Sequence, residues 1–472
     1  MQLMQLMQLM QRTTTPTTTI NGRQRPSGRR RELDKHTLPV SAATTQPTRF
    51  NYRWHVLIWL LIGGIINYMD RASLSIAAPG MIHELGLTRT QIGLLGSVFA
   101  WTYAVMQLPA GWVIDRFGAK RAYALGMIWW SVATWLTGVV GSISGLLVMR
   151  ALLAVGEAPC WPTSAKITAA WFPAKERGFA TGVWDSSSKW GPALAPAMLV
   201  ALMIAFGWRS LFHVTGAFGI AFALLFMVLY RNPVDSKRLS KDELAYIEAG
   251  GGGHERSLAT SSLKWRSLFT RRSVWGMILG YFCTIWLWNI FLVFLPLYLL
   301  DRFHISFAQL GVVAGIPWAG GAVGEIAVGY LAKKMVDRHL ASPIDAKRLL
   351  IACCSAGAAV CAVALPFTHA LSVTLVLFTV GLAFIAAVVG SAWALAADIA
   401  PSSMVASVSA IQNFGGYFGG AFSPVVAGFI VDRTGSYALA FISGGLIAGC
   451  AALFYWFMAR QPIRDDNAVP AG

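Results

Sequence analysis

Apolar residues fall into twelve long runs, each separated from the next by a short polar stretch. The runs cover roughly 54–78, 91–114, 121–141, 145–169, 178–206 and 209–230. After a polar interval, six more follow at 273–300, 307–332, 347–367, 370–397, 403–431 and 437–459. A bilayer crossing needs about 20 predominantly apolar residues in helical conformation, and each run is about that long. The pattern predicts an all-α membrane protein with twelve transmembrane helices. The interval from Arg231 to Arg272 holds Pro233, a charged run and Gly250–Gly253. It divides the chain into a six-helix bundle over 54–230, a cytoplasmic linker over 231–272 and a second, pseudo-symmetric bundle over 273–460. A tail lies on each side, 1–53 and 461–472.

Composition narrows the class. Of 472 residues 56% are hydrophobic and only 12% charged, against about 25% charged in a soluble protein. The formal charge of +17 is concentrated in the N-terminal tail and in short loops, which is how a membrane protein orients itself and is no sign of nucleic-acid binding. Loops after even-numbered runs carry Arg116, Lys120 and Arg121, then Lys175 and Arg177, then Lys333, Lys334 and Arg338; loops after odd-numbered runs carry few bases. Both termini are therefore expected in the cytoplasm, in the plasma membrane (a bacterial inner membrane). The tail opens with MQLMQLMQLMQ and turns Thr-rich and then Arg-rich, which reads as a disordered segment without a signal peptide. The six cysteines show no C-x-x-C spacing. They read as packing residues, and no metal site or cofactor is expected.

Charges inside such runs are the candidates for function, because a central charge costs several kcal/mol unless paired or hydrated. Asn67-Tyr68-Met69-Asp70-Arg71 places two of them in the first run; the competing reading is that they end a shorter helix and touch water. Arg150 and Glu157 are seven apart in the fourth run. Seven steps of about 100° return within about 20° of the start, so both project from one face, which must look into the bundle. Asp185 and Lys189, four apart, can pair on one face, and Glu325 is a further buried acid with no partner evident.

The loop Gly111-Trp112-Val113-Ile114-Asp115-Arg116-Phe117-Gly118-Ala119-Lys120-Arg121 resembles the loop signature of the major facilitator superfamily. Gly428 to Gly435 repeats its G-x-x-x-D-R-x-G spacing. Within the superfamily the chain is similar to the anion:cation symporters, which include carriers of sugar acids and other organic anions. Asn67 to Arg71 carries the resemblance, with Arg150 and Glu157-Ala158-Pro159, Trp171-Phe172-Pro173 to Arg177, Gly207-Trp208-Arg209 and Asn413-Phe414-Gly415-Gly416.

The resemblance implies the major facilitator fold and proton-coupled uptake of a small organic anion by a monomer. It implies that Arg71 and Arg150 serve substrate or carboxylate pairing and that Asp70 and Glu157 serve proton coupling. Asp115, with Arg116 and Arg121, would gate the cytoplasmic side. Physics agrees with the first part, since an arginine fork pairs bidentately with a carboxylate and keeps its charge. Protonating Glu157 would release Arg150; a permanent structural pair between Glu157 and a neighbour is the alternative. Tyr68 shares a side with Arg71. Ser188 aligns where family members carry a glutamine for sugar hydroxyls. Lys189 beside it suits a second substrate carboxylate, unless Asp185 neutralises it. Tyr103, Gln107, Asn289, Ser391 and Asn413 could bind hydroxyls, and Trp393 could stack on a sugar face.

An enzyme or an ATP-driven pump finds no support: there is no H-E-x-x-H, no G-x-x-x-x-G-K-[ST] and no His/Cys cluster at ligand spacing. The expected function is proton symport of a hexuronate, aldonate or aldarate. The alternatives are another organic anion, aromatic or dicarboxylic, and a drug/proton antiporter, against which two inward arginines argue.

Overall fold

The computed structural model describes residues 52–87, 89–253, 264–305, 313 and 315–463. The expected tail as far as residue 51, residues 254–263 of the linker, the start of the eighth run at 307–312 and the last nine residues lie outside this set. The described residues are almost entirely helical, with no strand among them.

The helices are α1 (Arg53–Leu85), α2 (Arg89–Phe117), α3 (Ala119–Thr137), α4 (Ile143–Glu157), α5 (Cys160–Trp171), α6 (Ala174–Asp185), α7 (Ser187–Phe206) and α8 (Trp208–Leu229). After the linker helix α9 (Lys241–Ala249) come α10 (Arg272–Phe303), α11 (Gly315–Asp337), α12 (Pro343–Ala364), α13 (Leu371–Ile399), α14 (Val405–Thr434) and α15 (Ala438–Phe457). Among the described residues, α1, α4 with α5, α8, α10, α12, α13, α14 and α15 are long and apolar enough to cross a membrane. The other predicted runs are helical but more polar; α6 with α7, for example, carries Glu176, Arg177, Asp185 and Lys189.

Two expected single helices are broken, and both breaks have chemical causes. The fourth run divides around Ala158 and Pro159. Pro159 and Pro162 lack amide protons, so each leaves a carbonyl of the preceding turn without its helical donor. The freed carbonyl of Ala158 is taken by Gln107 Nε2 at 3.3 Å. The fifth run breaks at Ser186. There Ser186 Oγ donates to the Val183 carbonyl at 2.6 Å and Ser188 Oγ to the Asp185 carbonyl at 2.7 Å, which competes with the helical ladder. The first helix also extends seven residues beyond its expected end, to a left-handed cap at Gly86.

The interior is apolar but holds buried charges, and the outer surface is apolar as well. Asp70, Glu157, Lys189 and Glu325 are each at most 1% exposed, whereas Val105, Phe206, Val425 and Phe429 are 60–74% exposed, as expected where the outer solvent is lipid. Within the first set of helices α3 packs on α8 and α4, and α1 on α7 and α8. In the second, α11 packs on α13, α10 on α14 and α12 on α15. The two sets meet where α2 crosses α14 and where α6 lies against α11 and α13. Glycines allow these crossings. A Cβ on Gly329 would lie 2.5 Å from the Gly178 carbonyl oxygen, and one on Gly111 only 2.7–2.9 Å from Ala406, Ser407 and Ala410.

The linker is more structured than a plain hydrophilic spacer. Ser240 caps α9 by accepting from the Glu243 amide, and the following glycines dock on the bundle. Gly253 (φ 93°) donates to the Ala170 carbonyl at 2.7 Å, and Gly251 (φ 81°) accepts from Arg177 Nη2 at 2.7 Å. Side chains other than glycine rarely adopt such φ values.

At the Arg53 end of the bundle a dense set of ion pairs forms. Arg53 bridges Glu176 and Glu243 at 2.9 Å each. Asp398 of α13 receives Arg177 of α6 at 2.9 Å and also Lys347 of α12. Asp115 accepts from Lys166 Nζ at 2.8 Å and from the backbone amides of Ser407 at 2.7 Å and Ala406 at 3.2 Å. The carboxylate therefore sits at the positive end of α14. Arg116 and Arg121 are exposed at the same end. The opposite end is stapled by Glu84, which takes Trp208 Nε1 at 2.6 Å and Arg209 Nη2 at 2.8 Å. Those two donors hold its carboxyl below the usual range.

Because the partner of Gly329 is backbone and cannot step aside, Gly329→Val is expected to cost about 1–3 kcal/mol by forced separation of α6 and α11. A fall of several degrees in the melting temperature in detergent would register this; an unchanged melting temperature would contradict the close approach.

Candidate functional site

A cavity of about 540 Å³ lies between the two sets of helices. Eight of the eleven residues expected to bind a ligand line it: Tyr68, Arg71, Tyr103, Ser188, Lys189, Asn289, Trp393 and Asn413. They come from α1, α2, α7, α10, α13 and α14, so both sets of helices contribute.

Arg71 is the most elaborately held of them. Its Nε donates to Glu157 Oε2 at 2.7 Å and its Nη1 to the Tyr417 hydroxyl at 3.1 Å. The guanidinium carbon lies 4.8–5.0 Å from the ring centres of Tyr103, Phe99 and Tyr68, within the range of cation–π attraction. Its Nη2 has no hydrogen-bond partner among the described residues. Glu157 stands behind it, fully buried, with Asn67 alongside.

This pairing corrects one expectation. Glu157 bonds to Arg71 from another helix, and not to Arg150 on its own face. Arg150 is 5% exposed and off the cavity wall; its guanidinium lies 5.0 Å from the Phe99 ring, within electrostatic reach of Glu157, Arg71 and Asp70. Asp70 turns away from Arg71 towards α3 and α8, where Trp130 and Thr215 are its polar neighbours.

Two further candidates lie elsewhere. Gln107 is fully buried and bonded to the Ala158 carbonyl, which is a helix-repair role. Ser391 is 5% exposed within α13 and does not line the cavity. The Ser188 hydroxyl faces the cavity but is bonded to the Asp185 carbonyl.

At a second position on the wall, Lys189 Nζ meets Asp185 Oδ2 at 3.3 Å and Glu325 Oε2 at 2.7 Å. The ammonium lies 5.2 Å from the Trp288 ring centre, and Trp161 Nε1 donates to Asp185 Oδ1 at 2.5 Å. Glu325 thus has the partner that sequence could not supply, and the pair joins α7 to α11. The sequence also gave no reason to choose Trp161, Tyr281, Trp288, Trp318 and Tyr417, all of which line the cavity. Aromatic residues are common throughout the runs, and only contact across helices singles these out. The indole of Trp393 and the amide of Asn413 have nitrogens without hydrogen-bond partners among the described residues. Among the described residues no group of His, Cys, Asp and Glu could hold a metal ion.

A helical membrane protein with a central cavity that is both charged and aromatic, formed between two sets of helices, has the architecture of a small-molecule transporter. The family model of the Major Facilitator Superfamily matches residues 60–424 and 344–471. The chain belongs to that superfamily, and is therefore a multi-pass membrane transporter and not an enzyme. Its curated relatives lie in the sugar-acid and organic-anion branch. A "Probable L-galactonate transporter" of Escherichia coli (strain K12) is 36% identical over 87% of this chain and 90% of its own length. A "Probable galactarate/D-glucarate transporter" of Bacillus subtilis (strain 168) is 32% identical over 90% and 95%. A "Probable sulfoacetate transporter" of Cupriavidus necator is 32% identical over 90% and 98%. Among solved structures, a proton:xylose symporter superposes with a TM-score of 0.68 at 16% identity, covering 87% of this chain and 98% of its own. A transporter of the same superfamily captured in an outward conformation gives 0.68 at 15%, covering 86% and 99%.

The placements are open to direct labelling. In a cysteine-free background, Asn289→Cys and Asn413→Cys are expected to react with a small hydrophilic maleimide, and Gln107→Cys and Ser391→Cys to stay unlabelled. Labelling of the second pair at the rate of the first would contradict the cavity wall described above.

Proposed function

We propose that the protein is a proton-coupled symporter that takes up a sugar acid by alternating access. It would act as a monomer in a bacterial inner membrane, with both termini in the cytoplasm and with bundles over 54–230 and 273–460 moving about the cavity. The observation that carries this reading is the Arg71–Glu157 pair, a cavity-facing cation whose carboxylate partner is buried behind it.

The coupling follows from charge. A substrate carboxylate can pair with Arg71 by both nitrogens of the fork, using the vacant Nη2. Glu157 then loses its ion pair in a region of low dielectric, where an unpaired carboxylate costs several kcal/mol. Taking a proton removes that cost, so anion and proton bind together. Asp70 supplies a second carboxyl turned away from the substrate, and Arg150 holds both acids by its field. Asn289, Asn413 and the hydroxyls of Tyr68 and Tyr103 are suited to sugar hydroxyls; Trp393 and Trp161 offer ring faces to the apolar side of the substrate. Pairs from Arg177 and Lys347 to Asp398, with Asp115 on α14, would close the Arg53 end, which is the cytoplasmic end in this reading. Arg116 and Arg121 would hold the same side by positive charge.

Uptake into proteoliposomes under an inward proton gradient tests the reading, with galactonate, galactarate, glucarate and sulfoacetate as the panel. Saturable, gradient-driven entry of a sugar acid is expected. Glu157→Gln should retain exchange of labelled for unlabelled substrate but lose accumulation, and unchanged accumulation would remove Glu157 from the coupling. Arg71→Ala should weaken binding at least 100-fold in a thermal-shift titration, about the loss expected for a buried charge-assisted pair.

A further inference from the structure

The cavity holds the same device twice. Arg71 is capped by Glu157 at 2.7 Å, and Lys189 by Glu325 at 2.7 Å. In each pair the cation lines the cavity and the glutamate, at most 1% exposed, does not. In each, one carboxylate oxygen rests on the cation while the other has no hydrogen-bond partner among the described residues. The second pair differs in standing between α7 and α11, so that its cation and its acid come from opposite sides of the cavity.

A structural ion pair does not need this arrangement. Lys189 already has Asp185 four residues earlier, just across the break at Ser186, and Trp161 fixes that carboxylate by donating to its other oxygen. Adding Glu325 gives two carboxylates around one ammonium, an excess of one buried negative charge. The charged groups facing Glu325 are Lys189 and Asp185, and Gly390 of α13 lies so close that a Cβ there would come within 2.4 Å of its free oxygen. A second carboxylate gathered on one ammonium beside a cavity is poised to exchange that contact for a proton.

We propose that Lys189 and Glu325 form a second carboxylate subsite, so that the cavity accepts an acid with a carboxylate at each end. The inference rests on the proposed function and names the substrate class within it. One carboxylate pairs with Arg71 and the other with Lys189. The second displaces Glu325, whose oxygen takes a proton arriving with the substrate; Asp185 stays on Lys189 and Trp161. The proton leaves with the substrate, and Glu325 returns to Lys189. A six-carbon sugar diacid meets both cations, whereas the matching monoacid ends in a neutral hydroxymethyl group and leaves Lys189 with Glu325.

The test compares galactarate with galactonate, which differ only at that end, in proteoliposomes of the full-length protein. The wild type is expected to favour the diacid in kcat/KM by at least tenfold. In Lys189→Gln that preference should collapse to within about twofold, while Lys189→Arg should restore most of it. Glu325→Gln should lower the number of protons entering per galactarate by one, read from the reversal potential, with the count for galactonate unmoved. A wild type that prefers galactonate overturns the inference whether or not any variant folds. So does a preference unchanged in Lys189→Gln, or a galactarate proton count unchanged in Glu325→Gln. Entry of neither acid under a proton gradient fails the proposed function itself and is distinct from these outcomes.

Discussion

A charge placed among apolar helices must have a partner within reach, and that requirement organises this molecule. Arg71 has Glu157 and three aromatic rings; Lys189 has Asp185 and Glu325; Asp115 has Lys166 and the amides that open α14. Each pairing crosses from one helix to another, so the charges fix which helices lie together as well as what they can bind. The polar side chains of the core and the apolar side chains of the surface are two consequences of one solvent.

The same constraint explains what could be read from the chain. Against a background that is 12% charged, Arg71, Glu157 and Lys189 stand out as costly, and cost in an apolar run is the signal by which sequence locates a site. Periodicity then places residues on a face, but only within one helix. It put Arg150 and Glu157 together because they share a face, whereas the shorter contact is made by Arg71 from α1. Glu325 had no visible partner for the same reason, since Lys189 lies 136 residues away.

Other misplacements trace to backbone chemistry. Gln107 carries the kind of side chain that binds sugars, yet two prolines fifty-odd residues further on leave a carbonyl that needs its amide. Ser188 offers a hydroxyl that the break after Asp185 already uses. Tyr417, Trp161 and Trp288 were invisible because an aromatic residue in a membrane helix is ordinary until a charged partner on another helix is found beside it. The fold was legible because length, hydropathy and turn residues all pointed one way. The site was legible in its cations and in polar or aromatic residues such as Tyr68, Tyr103, Asn289, Trp393 and Asn413, but not in Trp161, Tyr281, Trp288, Trp318 or Tyr417.

The contact between α6 and α11 is made through Gly178, Gly182 and Gly329, backbone lying on backbone. Interlocked side chains must change rotamer before two surfaces can part, whereas a glycine face has none to change. That seam is smooth: sliding of its two helices would meet no interlocked side chains. What ties the two helix sets together there is the ion pairs at its rim, where Asp398 and Glu325 each hold a base from the other set of helices. The smooth contact and the ties that cross it are thus separate parts, and only the ties carry charge.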